Sequence, residues 1–321
     1  MSREDRIQKR REYNIEIFKD TLETIGIYDQ LDGDVIRTIN NTDIVVGGSS
    51  FTATRTYKES DGEHTVGVIV NRRRTMKMAG EIYKTIKDNP SKKLCVLNFA
   101  SATTVGGGVK QGANAQEESI CRISTLYPCL STARVIEEYY EKNRAAKNRL
   151  YENICVYTPN IRVFRSDDKD MEMLPEEEWF YTDVITCPAP NLRSEKYNRF
   201  NENDIIHGAS FTREEYMRAL RDRISLIIVT ALKHKVTHIV LGAFGCGAFR
   251  NDPYIVARTF RDVLFPLDNC PFGFGHMFDE IYFSIYCNDY NEDNFEAFYK
   301  HFEDCPDTCP NVYTNMECMI L

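Results

Sequence analysis

Residues 94–123 read LCVLNFASATTVGGGVKQGANAQEESICRI. The run from Leu94 to Phe99 is apolar and too short for a helix, as expected of a strand buried on both faces. A glycine-rich loop containing Gly106, Gly107 and Gly108 follows, and helical spacing begins near Gln116. Strand, glycine loop and helix in that order place a backbone free of side chains at the carboxyl end of a strand, where open α/β sheets bind ligands. The same order recurs at residues 238–253, HIVLGAFGCGAFRNDP. There HIVLGAF reads as a buried strand, Gly245 and Gly247 flank Cys246, and Asp252-Pro253 opens a helix with Asp as N-cap and Pro in the first turn.

Outward from these two units, strands alternate with helices. Ile15, Phe18, Leu22 and Ile25 recur at helical spacing and give an amphipathic helix ending near Gly26. Residues 44–46 and 66–70 are β-branched and read as strands, and residues 74–87 as a helix. Helical patterns run from about Gln116 to Arg149. Strands are expected at 154–157 and 179–187, with the polar stretch RSDDKDMEMLPEEE (165–178) between them as a loop. Thr212 and Glu215 make a capping-box pair, followed by one apolar helix face through Met217, Leu220, Ile224, Ile227 and Ala231. A late strand at 280–286 and a late helix at 291–302 complete the pattern. The alternation predicts an α/β layered sheet, at least partly parallel. There is no repeat or clear linker, so residues 1–321 parse as one domain, with a helical N-terminal extension over about 1–40 and a tail over about 303–321.

The chain has 321 residues, a net charge of −8 and 42% hydrophobic residues. These values suit a globular protein with a sizeable core. The negative balance argues against broad nucleic-acid binding, yet a pocket can still hold phosphate through backbone N–H groups and helix N-termini. The charged start MSREDRIQKRRE lacks the apolar region of a secretory signal, and no run approaches the ~20 apolar residues of a membrane span. The eleven cysteines fall mostly in apolar strand-like contexts, such as Cys95, Cys155 and Cys187. They read as reduced buried thiols of a cytoplasmic protein. His301, Cys305, Cys309 and Cys318 lie close in sequence but lack the paired spacing of structural zinc sites. No metal and no cofactor are expected.

Glu117 and Glu118 stand just past the first glycine loop. The simplest reading is that they favour a helix N-terminus. Adjacent helical residues diverge by about 100°, so one can enter a pocket while the other orients it. Like charge and partial burial would then keep a proton available near neutral pH, as a glycoside-cleaving acid needs. Two glycine loops in one chain suit a ligand with two phosphates. Neither has Walker or dinucleotide-fingerprint spacing.

The stretch NFASATTVGGGVKQGANAQEESICRISTLYP (98–128) closely resembles the signature of microbial-type poly(ADP-ribose) glycohydrolases, which carry three glycines, a short spacer and Gln-Glu-Glu. The second loop and VITCPAPN (184–191) resemble that family too. The resemblance spans roughly residues 5–300. It implies a macrodomain-like three-layer α/β/α sandwich with a mixed sheet and helical additions at both ends. It also implies hydrolysis of the ribose–ribose O-glycosidic bond of poly(ADP-ribose), mainly from chain ends. The substrate would be poly(ADP-ribose) or ADP-ribosylated protein, and the product ADP-ribose. By the same resemblance Glu118 is the general acid/base and Glu117 holds the terminal ribose. Gln116 and Asn98 shape the site. Gly106, Gly107, Gly108 and Val109, with Gly245, Cys246, Gly247 and Ala248, hold the diphosphate, and Phe249 packs near the distal ribose. Ser101, Phe244 and Thr104-Val105 stand where the family often has Asn, Trp and Asn-Pro.

Other functions share these features. The same fold could remove single ADP-ribose units, act as a non-catalytic ADP-ribose reader, or serve as a nucleotide-binding regulatory module whose glutamates only cap a helix. Retention of both glutamates favours catalysis, since binding alone does not require a buried acid.

Overall fold

The computed structural model describes residues 2–48, 50–53, 66–146, 148–193, 211–266, 273–287, 292–303 and 316–319. Its centre is a seven-stranded sheet. In chain order the strands are β1 (Asp43–Val46), β3 (Gly67–Asn71), β4 (Leu94–Phe99), β5 (Ile154–Val163), β6 (Phe180–Cys187), β7 (His238–Leu241) and β8 (Glu280–Ser284), with β2 (Ser50–Ala53) set apart. The spatial order is β1-β5-β6-β4-β7-β8-β3. Strands β6, β4, β7, β8 and β3 run parallel, and β1 and β5 are antiparallel additions at one edge. The mixed α/β sheet expected from the sequence is therefore present.

Alternation along β4 explains the layers. Cys95 and Leu97 point into one apolar cluster and Leu94 and Val96 into another. The first cluster is closed by α5 (Arg213–Lys233), α6 (Pro253–Leu264) and α7 (Glu292–Phe302), through residues such as Leu220, Ile224, Ile227, Val256, Phe260 and Phe298. The second is closed by α3 (Thr75–Ile86) and α4 (Gln116–Ile123), through Met76, Ala79, Ile82, Ile120 and Ile123. A side chain such as Leu97, fully buried, contributes about 1.5–3 kcal/mol relative to exposure. Caps end the helices as the sequence predicts. Thr212 and Glu215 bond reciprocally at the start of α5. The Asp252 carboxylate accepts from the N–H of Tyr254 at 2.8 Å at the start of α6.

Three local readings need correction. In α1 (Arg3–Ile27) the buried residues are Asn14, Phe18, Thr21, Thr24 and Ile25, whereas Leu22 lies at the surface. The reason is the surface that α1 meets, which is polar at two places between the apolar contacts of Phe18 and Ile25. Asn14 Nδ2 donates to the carbonyl of Gly112 at 3.0 Å, and the Thr21 hydroxyl donates to the carbonyl of Arg122. Second, the helical pattern from 116 to 149 is interrupted. After α4, Ser124 turns extended and bridges Val163 of β5, and helix resumes in two pieces, Leu126–Leu130 and the contiguous run from Ala133 to Ala145, whose middle (Ile136–Glu141) is π-helical. Third, β2 pairs antiparallel with β9 (Met316–Met319) in the tail, a contact no local pattern announces. Of the C-terminal Cys/His group, Cys305, Cys309 and the Cys318 side chain lie outside the described residues. His301 bonds the carbonyl of Ala297 through Nδ1.

The second N-terminal helix, α2 (Asp29–Asn41), packs along β5. Its buried Asp34 pairs with Arg162 of β5 at 2.9 Å. Seven cysteines among the described residues are free thiols, and five of these are buried. No helix among the described residues is long and apolar enough to cross a membrane.

Candidate active site

The parallel strands all end on one side of the sheet, and a cleft of about 600 Å³ opens there. Its walls come from the segments that leave β4, β6, β7 and β8, together with the first turn of α4. This size falls within the roughly 300–1,000 Å³ usual for small-ligand sites.

Gln116 fastens α4 to the end of β4. Its side-chain carbonyl accepts from the N–H of Phe99 at 2.8 Å, and its amide donates to the carbonyl of Leu97 at 2.7 Å and to Thr75 Oγ1 at 3.2 Å. The amide thus satisfies backbone groups that the end of a strand leaves unpaired. With Gln116 fixed, the next two residues enter the cleft. Glu117 is 2% exposed and Glu118 7%. Glu117 Oε2 accepts from the N–H of Ser101 at 2.7 Å, and Oε1 lies 3.5 Å from Asn98 Nδ2. Glu118 Oε1 accepts from the N–H of Gly108 at 2.9 Å, and Oε2 from that of Ala115 at 3.0 Å. The second of these bonds is a capping interaction, so the helix-cap reading of Glu118 describes one of its two oxygens. The other reaches across the glycine loop.

Gly107 marks where the carboxylates converge. It has φ +57°, and a Cβ built there would stand 2.6 Å from Glu118 Oε1 and 2.9 Å from Glu117 Oε2. Only glycine leaves that space open. Gly106 also has positive φ, and a Cβ there would meet the Tyr127 ring at 2.8 Å.

The second loop faces the first across the cleft. Gly245 has φ +74° and packs so closely that a Cβ would lie 2.5 Å from Ala189. Asn251 ties the loop down, donating from Nδ2 to the carbonyls of Gly245 (3.0 Å) and Pro190 (2.8 Å). Behind it the buried Arg223 of α5 donates to the carbonyls of Pro188 and Glu152, bracing the segment after β6. The N-terminus of α6 follows the loop, so its dipole favours an anion there.

Of the residues proposed from the sequence, Gln116, Glu117, Glu118, Gly107, Gly108, Gly245, Gly247, Ala248 and Phe249 line the cleft. Asn98, Gly106, Val109 and Cys246 stand behind the lining. Asn98 is fully buried against Glu117 and Thr186, and burial pushes the Cys246 thiol upward. Sequence reading missed Arg74, Asp167, Arg193 and Tyr286, which also line the cleft. Arg74 lies 3.5 Å from Asp167, with its guanidinium 4.5 Å from the centre of the Tyr286 ring. Asp167 accepts from the N–H of Met76 at 2.9 Å, and burial raises its carboxyl above the usual range. Arg193 donates from Nε to the carbonyl of Ala248 at 2.9 Å. Arg74, Arg193 and Tyr286 each follow the carboxyl end of a strand. The strand-end rule, applied to every strand and not only to the glycine-rich ones, would have found them.

Residues 19–166 match the family model for the microbial-type PARG (poly(ADP-ribose) glycohydrolase) catalytic domain. The fold is also similar to solved structures. One is poly(ADP-ribose) glycohydrolase from Thermomonospora curvata bound to the inhibitor ADP-HPD, 28% identical, covering 90% of this chain and 99% of that one with a TM-score of 0.70. Another is a mutant of the Deinococcus radiodurans enzyme in complex with ADP-ribose, 30% identical, covering 84% and 97% with a TM-score of 0.63. The chain belongs to the microbial-type poly(ADP-ribose) glycohydrolases. It is an enzyme, a glycohydrolase that acts on poly(ADP-ribose). No curated protein matches the sequence significantly.

In this glycohydrolase the three departures from the common family pattern are absorbed locally. Ser101 keeps its N–H on Glu117, and its hydroxyl accepts from the N–H groups of Thr103 and Thr104, closing the turn into the loop. Phe244 is fully buried, edge-on to Phe99. Val105 is partly buried against the apolar cluster under α4.

Proposed function

We propose that Glu118 is the general acid/base of the glycohydrolase and that Glu117 holds the terminal ribose. The observation that carries this is the meeting of both buried carboxylates over Gly107, opposite a second glycine loop built to face an anion. The diphosphate of ADP-ribose lies between Gly107–Gly108 and Gly245–Ala248, with Arg74 and Arg193 at the rim. Phe249 packs by the distal ribose, and Tyr286 offers an aromatic face for a base.

A carboxylate has about four acceptor positions, so Glu118 keeps capacity beyond its two N–H bonds. It protonates the departing ribose oxygen. Positive charge builds at the anomeric carbon and is eased by the substrate diphosphate, and the same carboxylate then deprotonates the attacking water. Glycosidases usually divide this work between two opposed carboxyl groups. Here both glutamates approach from one side, and a substrate phosphate takes the second role.

The chain works as one catalytic unit over residues 1–321, and its free thiols suit a cytoplasmic, reducing location. Its acidic balance fits a partner bound through the cleft rather than broad nucleic-acid binding.

Cleavage proceeds mainly from polymer ends. Asn294 of α7 lines the cleft, whereas no residue of α1 does among those described, so the C-terminal addition is the better candidate for limiting an onward chain. The last, protein-linked unit stays in place, because an acid set for a ribose–ribose oxygen is misplaced for another linkage. A small displacement of reacting groups can cost ~10²-fold in rate. With length-defined polymer on a protein carrier, free ADP-ribose should appear at once, oligomers should be few, and mono-modified protein should persist. Early long fragments would reject end-acting cleavage, and rapid loss of the last unit would reject the linkage argument and favour mono-ADP-ribosyl hydrolysis.

No three His, Cys, Asp or Glu side chains gather as a metal site among the described residues. Activity is therefore expected to survive prolonged chelation unchanged. A loss that added metal restores would put a cation in the reaction.

A further inference from the structure

Glu118 is held at both ends of one loop segment, by the N–H of Gly108 and the N–H of Ala115. Between those residues the chain makes a single 3-10 turn and then passes through Gly112, which has φ +72°. The rest of the segment is fixed from behind. Asn14 of α1 donates to the carbonyl of Gly112 at 3.0 Å. Arg122, one helical turn beyond Glu118, donates from Nη1 to the carbonyl of Ala113 at 2.6 Å and from Nη2 to Asn114 Oδ1 at 3.3 Å. Three successive residues are thus tied by two side chains. The backbone of α1 closes the same spot, since a Cβ on Gly112 would stand 2.3 Å from the carbonyl oxygen of Arg11. Ala113 in turn supports Gly108, whose own Cβ position lies 2.8 Å from the Ala113 methyl.

Asn14 and Arg122 are fully buried, and neither lines the cleft. Both are costly residues for such a place. Burial pushes the Arg122 guanidinium down to about 10, against the pull of Glu118. Arg122 Nε and Asn14 Oδ1 have no hydrogen-bond partner among the described residues. Well-packed apolar residues of similar volume are often as stabilising as buried charge, or more so. What Asn14 and Arg122 supply at this spot is therefore sought in the loop that they hold.

We propose that Asn14 and Arg122 are positioning residues that set the height of Glu118 over Gly107, which makes the N-terminal helix a working part of the active site. The proposal rests on Glu118 being the general acid/base.

The test uses the full chain with Asn14→Leu, which keeps the branched skeleton of Asn, and, separately, Arg122→Met, which keeps the unbranched shape of Arg; both are apolar. On defined polymer, kcat should fall about 10–10²-fold, the scale of a misplaced reacting group, while the ADP-ribose Kd stays within about threefold. The melting temperature should fall modestly, because the carbonyl of Gly112 or of Ala113 loses its donor. Arg122→Lys should recover part of kcat, because an ammonium can still reach the Ala113 carbonyl. Placed on Glu118→Gln, neither apolar variant should lower activity further. An unchanged kcat in Asn14→Leu overturns the proposal. So does a loss of ADP-ribose affinity in step with kcat, which marks a merely structural role. Should Arg122→Met fail to fold, Asn14→Leu and Arg122→Lys decide the matter. An inactive Glu118→Gln beside a fully active Asn14→Leu rejects only the positioning role, whereas an active Glu118→Gln rejects the acid/base assignment itself.

Discussion

Glu118→Gln is expected to lower turnover of poly(ADP-ribose) by about 10²–10⁴-fold, the usual worth of general acid–base catalysis, with ADP-ribose binding preserved. Glutamine keeps the shape of the side chain and cannot deliver a proton. The structure adds a second, smaller effect. Both carboxylate oxygens of Glu118 accept a backbone N–H, from Gly108 and from Ala115. An amide offers one acceptor and one donor, so one of these N–H groups must face an NH₂. An unsatisfied buried donor costs about 1–3 kcal/mol, and the variant should melt somewhat earlier than the parent. Calorimetric titration with ADP-ribose, beside a cleavage assay on defined polymer, separates the two effects. Cleavage near the parent rate would remove Glu118 from the chemistry.

Gly107→Val should be nearly as damaging, for a different reason. Its φ of +57° lies in the left-handed region, which costs an L-residue roughly 1–2 kcal/mol. A Cβ there would also meet oxygens of both glutamates at 2.6 and 2.9 Å, closer than unbonded atoms sit. The carboxylates must move, and the space in which a ribose would meet them fills. Affinity for ADP-ribose and turnover should both fall by about 10²-fold or more, on the same misplacement argument, and far more than the loss in folding stability would explain. Gly26→Val is the control for stability, because an added Cβ meets nothing within 4 Å, no positive φ is involved, and Gly26 does not line the cleft. Unchanged ADP-ribose affinity in a folded Gly107→Val protein would take this loop out of the site.

The central strands and both glycine loops were legible because their signals are local. A short apolar run ending in glycines can hardly be anything but a buried strand entering a tight loop, and Leu94–Phe99 and His238–Leu241 are such runs. Caps at Thr212 and Asp252 were legible for the same reason. The buried face of α1 was not. Asn14 and Thr21 are inside because they meet carbonyls of Gly112 and Arg122, about a hundred residues further on, and an apolar-periodicity argument takes such residues for solvent-facing ones. The rim of the cleft was hidden likewise. Arg74, Asp167 and Tyr286 look like solvated singletons along the chain and become neighbours only when the ends of β3 and β8 come together. Glu117 and Glu118 were found through a short motif. One oxygen of Glu118 caps α4, so the capping reading accounts for part of that side chain and leaves the other oxygen over the glycine loop.

The buried thiols bear on how the folded molecule opens. Cys95, Cys155 and Cys187 sit in the sheet, Cys121 on α4 between Glu118 and Arg122, and Cys129 beneath α2. Burial pushes all five upward, Cys129 and Cys187 to about 12. Alkylating reagents attack the thiolate, so in the closed molecule these sulfurs are doubly shielded, by protonation and by packing. Their modification then proceeds through whatever fraction of molecules is transiently open. Opening free energies differ from place to place within one native state. The labelling rate at Cys121 therefore reports how often the helix carrying the glutamates lifts away, while the rate at Cys155 reports rupture of the sheet. The ratio of the two measures how much more freely α4 breathes than the scaffold beneath it.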